Sequence, residues 1–166
     1  MIKSGIPVNG RHSSDGGTAL HYAVLRKRRE VIIALLAAGA DANIKNDIGE
    51  TSVWLSAVGS FADILQLVID GGGSVNKPDN YGQTPLIEFV SSVRGDAANR
   101  LEVLFACPEL ELDAKRHGKT AEEWAVIKGH PGAATLIAEE RRRRMRWSAL
   151  RLTWIAAITA TTVACV

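Results

Sequence analysis

The sequence predicts an all-α solenoid of stacked antiparallel helix pairs joined by hairpin-like loops, with a C-terminal helical tail. Three observations predict it. A Gly-x-Thr signature recurs 33 positions apart, as Gly16-Gly17-Thr18, Gly49-Glu50-Thr51 and Gly82-Gln83-Thr84, and returns 36 later as Gly118-Lys119-Thr120. Apolar columns keep the same register: Ile32, Leu65 and Leu101; Leu35, Val68, Leu104 and Ile137; Leu36, Ile69 and Phe105. A Gly-x-x-x-Asn segment follows the second apolar stretch, as Gly39 to Asn43 and Gly72 to Asn76. A period of this size marks units that cannot bury an apolar face alone and complete their core by stacking.

The elements follow in order. Ile2–Asn9 reads as the end of a preceding unit, with Gly5 and Asn9 in the Gly and Asn columns, so a partial repeat is expected over 1–12. Repeats are then expected at about 13–45, 46–78, 79–114 and 115–140. In each, the threonine caps a first helix, because its hydroxyl can accept from an unpaired N–H of the first turn. Pro85 suits the next position, where that N–H has no helical partner. Second helices are expected over Arg29–Ala38, Phe61–Asp70, Asp96–Ala106 and from Pro131 onward, with apolar residues at helical spacing. Gly39 and Gly72 stop two of them in the left-handed region. The polar stretch that follows, as in Lys77-Pro78-Asp79-Asn80-Tyr81, is an exposed hairpin-like loop. The longer third spacing places a three-residue insertion near Ser91–Asn99, in the turn between the helices of repeat three.

The pattern Gly-x-Thr-Pro-Leu-His, an apolar second helix and Gly-Ala-Asp-x-Asn resembles the ankyrin repeat. Repeat one carries it nearly whole in Thr18, Leu20, His21, Ala23, Leu35, Leu36, Gly39, Ala40, Asp41 and Asn43, and repeat three keeps Thr84, Pro85 and Leu86. The resemblance covers roughly 1–140. Departures are local: Trp54, Ile87 and Glu123 stand in the column of His21, Leu112 ends the Asn column, and Glu122 replaces a core leucine in repeat four. Polar substitutions suit a terminal repeat whose outer side faces water.

Little in the chain points to chemistry. Its 166 residues are 46% apolar and 23% charged, as in a folded globular chain. The net charge of +2 conceals an asymmetry: six arginines (Arg141, Arg142, Arg143, Arg144, Arg146 and Arg151) and no acid lie beyond residue 140, so the body is net acidic. That argues against a nucleic-acid partner. Cys107 and Cys165 form no disulfide framework, and no Cys/His spacing suits zinc. His12, His21, His117 and His130 are scattered. Gly71-Gly72-Gly73 follows a helix and lacks the Lys-Ser/Thr of a phosphate loop. Ser13, Ser14, Asp15 and His21 lie close in sequence, which is not triad geometry. No catalytic residue, metal or cofactor is expected.

The expected function is therefore a non-catalytic protein–protein interaction module or adaptor, acting as a monomer in the cytoplasm. The resemblance implies a binding surface of loop tips and first helices. Its candidate residues are Asp47, Ile48, Glu50 and Trp54; Asn80, Tyr81 and Gln83; and Arg116, His117 and Lys119. Tyr81 is the strongest anchor, because an aromatic on an exposed loop has no core to fill. Trp54 has a competing role, packing between repeats in place of the missing histidine. Residues 141–166 form an Arg-rich, then uncharged tail, whose arginines suit a helix C-terminus. A membrane-tethered adaptor, with 147–166 as tail anchor, is one alternative, although Leu152–Val166 is short for a bilayer. A regulatory fragment of a larger multidomain protein is another, suggested by the start within a unit. The basic run Arg26–Arg29 leaves nuclear entry as an alternative location.

Overall fold

The computed structural model describes residues 7–59, 62–92 and 98–163, with side chains of the last helix described as far as Leu150. Repeat one is α1 (Ala19–Leu25) and α2 (Arg29–Ala37); repeat two is α3 (Ser52–Gly59) and α4 (Ala62–Asp70); repeat three is α5 (Pro85–Ser92) and α6 (Ala98–Phe105). Repeat four opens with a small hairpin, β1 (Lys115–Arg116) and β2 (Lys119–Thr120), before α7 (Ala121–Ile127) and α8 (Pro131–Val163). First helices α1, α3, α5 and α7 pack in one row, and α2, α4, α6 and α8 in a second. The stack of helix pairs matches the expected fold. The insertion falls mostly within 93–97, outside the described residues, as does Phe61.

The core is the sequence periodicity made solid. Ile32, Leu65 and Leu101 are buried, as are Leu35, Val68, Leu104 and Ile137. The third column, Leu36, Ile69 and Phe105, is half-buried along the edge of the second-helix row. Leu20, Val24, Val53, Ala57, Leu86, Phe89, Ala121 and Ala125 bring the first helices into the same cluster. Gly39 and Gly72 end α2 and α4 at φ +84° and +88°, where a side chain would be strained. The three glycines after α4 spend their N–H groups on the carbonyls of Leu67, Ile69 and Val68, so they hold no anion cradle.

Neighbouring repeats are joined by a repeated polar rung. Asn43 Nδ2 donates to the Gly72 carbonyl (2.7 Å), and its Oδ1 accepts from the Ser74 N–H (2.9 Å). Asn76 does the same to Glu109 (2.6 Å) and Glu111 (2.9 Å), and Asn9 to Gly39 (3.3 Å) and Asp41 (2.8 Å). Each asparagine amide supplies a donor and an acceptor to backbone groups past the end of the next second helix, which have no intrahelical partner.

The tail corrects one expectation. The arginines do not lie at a helix end, because α8 runs unbroken to Val163. Arg141 closes the outer side of repeat four instead. It pairs with Glu122, lies 2.9 Å from the Asp113 carboxylate and reaches the carbonyl of Leu112, the residue that breaks the Asn column. Arg144 caps a different helix, α6. Its guanidinium donates to the carbonyls of Phe105 (3.1 Å), Cys107 (3.0 Å), Pro108 (3.3 Å) and Leu110 (2.8 Å), and its Nε to Glu140 (2.7 Å). All five guanidinium donors have acceptors. Glu140 is 6% exposed and also takes two bonds from Arg143. Burial pushes its carboxyl up, but these bonds outweigh that and hold it below the ordinary range.

Two stability measurements follow. Asn43→Ala should lower the denaturant midpoint by the equivalent of about 1–3 kcal/mol, and Asn9→Ala, at an exposed rung, by less. Glu140→Ala should cost about 2–3 kcal/mol in a thermal melt, because Arg143 and Arg144 lose their counter-charge. Glu139→Ala, one position away and exposed, should stay within about 0.5 kcal/mol.

Candidate partner-binding face

The tips of repeats two and three are each built by a polar residue three positions before the glycine. Asn46 Oδ1 accepts from the Glu50 N–H (2.8 Å), and the buried Asp79 carboxylate accepts from the N–H groups of Tyr81 and Gln83 (2.8 Å each). Backbone bonds then tie tip to tip: the Asp47 N–H donates to Asp15 (2.9 Å) and the Asn80 N–H to Ile48 (3.1 Å). Asn80 Nδ2 adds a bond to the Asp47 carbonyl (2.9 Å), and Arg11 pairs with the Asp47 carboxylate at 2.8 Å. Gly49 sits at φ +89°, and a Cβ there would lie 2.4 Å from the Asn80 nitrogen. Glycine is required because the adjacent tip comes so close.

Most sequence candidates lie on this row. Ile48, Tyr81 and His117 occupy equivalent positions in successive repeats and are all exposed, Tyr81 at 66% and Ile48 at 49%. Asp47, Asn80 and Lys119 are exposed beside them; Glu50 and Arg116 are half-buried. Two candidates are corrected. Trp54 is buried and donates its indole N–H to the Gln83 carbonyl (3.1 Å), which places it between repeats rather than at a surface. Gln83 is buried as well, with its amide bonded to Glu88.

Trp54 takes over the work of a histidine. In repeat one, His21 Nδ1 accepts from the Thr18 N–H (3.1 Å) and meets its hydroxyl (2.8 Å). That leaves Nε2–H to donate to the Glu50 carbonyl (3.1 Å), 29 residues on. Trp54 reaches Gln83 over the same separation. Ile87 has no donor for the equivalent carbonyl, that of Arg116, and Trp124 Nε1 from repeat four bonds to it instead (3.2 Å). Glu123 keeps the local half of the histidine's role, accepting from the Thr120 N–H (2.7 Å).

A further column escaped the sequence reading. Tyr22, Leu55, Glu88 and Trp124 each follow the histidine column by one position. The three polar ones bond back to their own loop: Tyr22 hydroxyl to Asp15 (2.6 Å), Glu88 to Gln83, Trp124 to Arg116. The fixed offset was a usable signal, but their mixed chemistry hid it. Burial pushes the carboxyls of Glu50 and Glu88 up, and the Arg116 charge opposes this at Glu88. Asp15 is held low, chiefly by the Tyr22 hydroxyl. The row is thus acidic around Asp15, Asp47, Glu50 and Glu88 and basic at Lys115, Arg116 and Lys119. Arg116 lies 5.7 Å from the centre of the Trp124 ring.

Residues 12–15 do not make a triad. His12 Nδ1 meets the Ser14 hydroxyl at 2.7 Å, and the Asp15 carboxylate lies 3.9 Å from the same nitrogen. A triad needs nucleophile and acid on opposite ring nitrogens. Among the described residues, no three of His, Cys, Asp and Glu converge as metal ligands would.

His21 gives the stack a pH dependence. Burial lowers its pKa below the 6.5 of an unperturbed histidine. The unfolded chain therefore binds the proton more readily, and the stability contributed by neutral His21 is present above that value and lost as pH falls below it. Between about pH 7 and about pH 5, the wild-type chain should lose more stability than His21→Gln, which does not titrate there. Denaturation curves at both pH values read the difference.

The family model described as ankyrin repeats (3 copies) matches residues 20–108. The Neurogenic locus Notch protein of Drosophila melanogaster is 37% identical over 92 residues, 55% of this chain and 3% of that protein. Human Palmitoyltransferase ZDHHC13 is 30% identical over 138 residues, 83% of this chain and 22% of that protein. Human Ankyrin repeat and SOCS box protein 6 is 29% identical over 124 residues, 74% and 30% respectively. The chain spans less than a third of the length of each of these three relatives.

Proposed function

The chain belongs to the ankyrin-repeat family, whose repeats are generally protein–protein interaction modules, and on that premise we propose that it is a non-catalytic adaptor that captures a partner protein along its loop tips. The observation that carries this reading is the row Ile48, Tyr81 and His117. Two large apolar side chains stand in water there with no core to join. The tips beneath Ile48 and Tyr81 are locked together by one backbone hydrogen bond and one from the Asn80 side chain, so a partner meets a surface already ordered. Glu88, Tyr22 and Trp124 extend the face onto the first helices. Trp54 and Gln83 act from beneath, holding it in place. The transferase activity in the name of one relative belongs to that protein.

The test begins with a partner isolated on the intact chain and confirmed with purified components. Ile48→Ala with Tyr81→Ala should weaken that binding by about 2–4 kcal/mol, as loss of central anchors does. The thermal melt should move by less than about 0.5 kcal/mol, since both side chains are exposed. Unchanged affinity would remove this face from the mechanism.

A further inference from the structure

We propose that the outward face of α8 docks on an anionic lipid bilayer and lies along its surface rather than crossing it. Between residues 141 and 147 the arginines divide by direction. Arg141 and Arg144 turn inward, and the protein satisfies them. Arg142, Arg143 and Arg146 line an open cup of about 540 Å³ on the other side, together with Glu139, Trp147 and Leu150. Arg142 makes an Nε bond to the Ala138 carbonyl of its own helix (3.3 Å) and Arg143 gives two bonds to Glu140 (2.6 and 2.8 Å), so Arg142 and Arg146, both exposed, are the arginines offered to the bilayer. Trp147 is 64% exposed and Leu150 54%.

Helical spacing brings these residues onto one face: 142 with 146, 143 with 147, and 146 with 150. Guanidinium groups pair with phosphate in a planar, bidentate manner, and tryptophan settles at the headgroup boundary with its ring in the apolar layer. The two chemistries side by side on one helix are those of a helix lying in the interface. Charge complementarity selects an anionic surface: beyond Glu140 the sequence carries no acid, while residues 1–140 are net acidic. An anionic bilayer attracts the tail and repels the body, so it orients the molecule. The helix continues through the uncharged run to Val163, and the 22 residues from Arg142 onward span about 33 Å at about 1.5 Å each. No helix among the described residues is long and apolar enough to cross a membrane. The loop tips belong to the first-helix side of the stack, so the docked chain keeps its adaptor face open.

The probe is a vesicle of phosphatidylcholine, with or without phosphatidylserine, sedimented with the full-length chain at low salt. Binding should require phosphatidylserine and should be released by high salt. Arg142→Glu with Arg146→Glu should lower partitioning on the order of a hundredfold, and Trp147→Ala about tenfold. All three side chains are exposed, so circular dichroism melts should match the wild type. Arg142→Gln with Arg146→Gln should fall between wild type and the reversed variant. Absence of binding to the anionic vesicles would overturn the proposal. So would binding that is indifferent to phosphatidylserine or to the charge reversal, and so would vesicle-bound chain that resists salt, the behaviour of a spanning segment. If the reversed variant instead loses a purified acidic protein while the wild type ignores the vesicles, the face serves protein and the lipid assignment is wrong.

Discussion

A helix pair of seven to nine residues a side leaves its apolar flank in water, and every later feature of this molecule answers that constraint. Burying Leu65 or Leu104 requires a second pair alongside, but the second pair also brings its helix ends and loops against the first. Those ends carry backbone groups with no helical partner, and their desolvation costs free energy unless something bonds to them. The Asn9, Asn43 and Asn76 rungs do this on the second-helix side. His21 and Trp54 do it on the first-helix side. The stack depends on these polar joints as much as on its core.

The joints show how a repeat tolerates drift. The His21 column demands a donor for a carbonyl in the next repeat, not an imidazole. An indole N–H meets that demand at Trp54. Where Ile87 offers no donor, Trp124 reaches the orphaned carbonyl from the opposite side. At the end of the Asn column, where Leu112 cannot form a rung, Arg141 supplies charge-assisted contacts instead. The chemistry of each column is held by hydrogen-bond bookkeeping, while residue identity is free to change.

The same joints make the functional face. Tip-to-tip bonds fix the spacing of Ile48 and Tyr81 at no cost in binding, because folding has already ordered them. Buried Asp79 shapes the tip that lifts Tyr81 into solvent. The tail extends this logic, since Glu140 and Arg144 anchor α8 to the end of α6 and leave Arg142, Arg146 and Trp147 on the far side.

Periodicity alone determined the stacked helix pairs, the core columns, the helix stops at Gly39 and Gly72, and the loops that carry Ile48, Tyr81 and His117. These depend on local preference and on a spacing repeated often enough to be unmistakable. It could not decide between the two roles open to Trp54, because burial depends on the neighbour that packs over it. Nor could it place Gln83 beneath the surface or split the arginines into inward and outward sets. A residue's spacing within its helix gives a direction relative to that helix, but which direction faces protein is set only when the next element docks. Tertiary structure therefore decided which side chains hold the stack together and which remain to meet a partner.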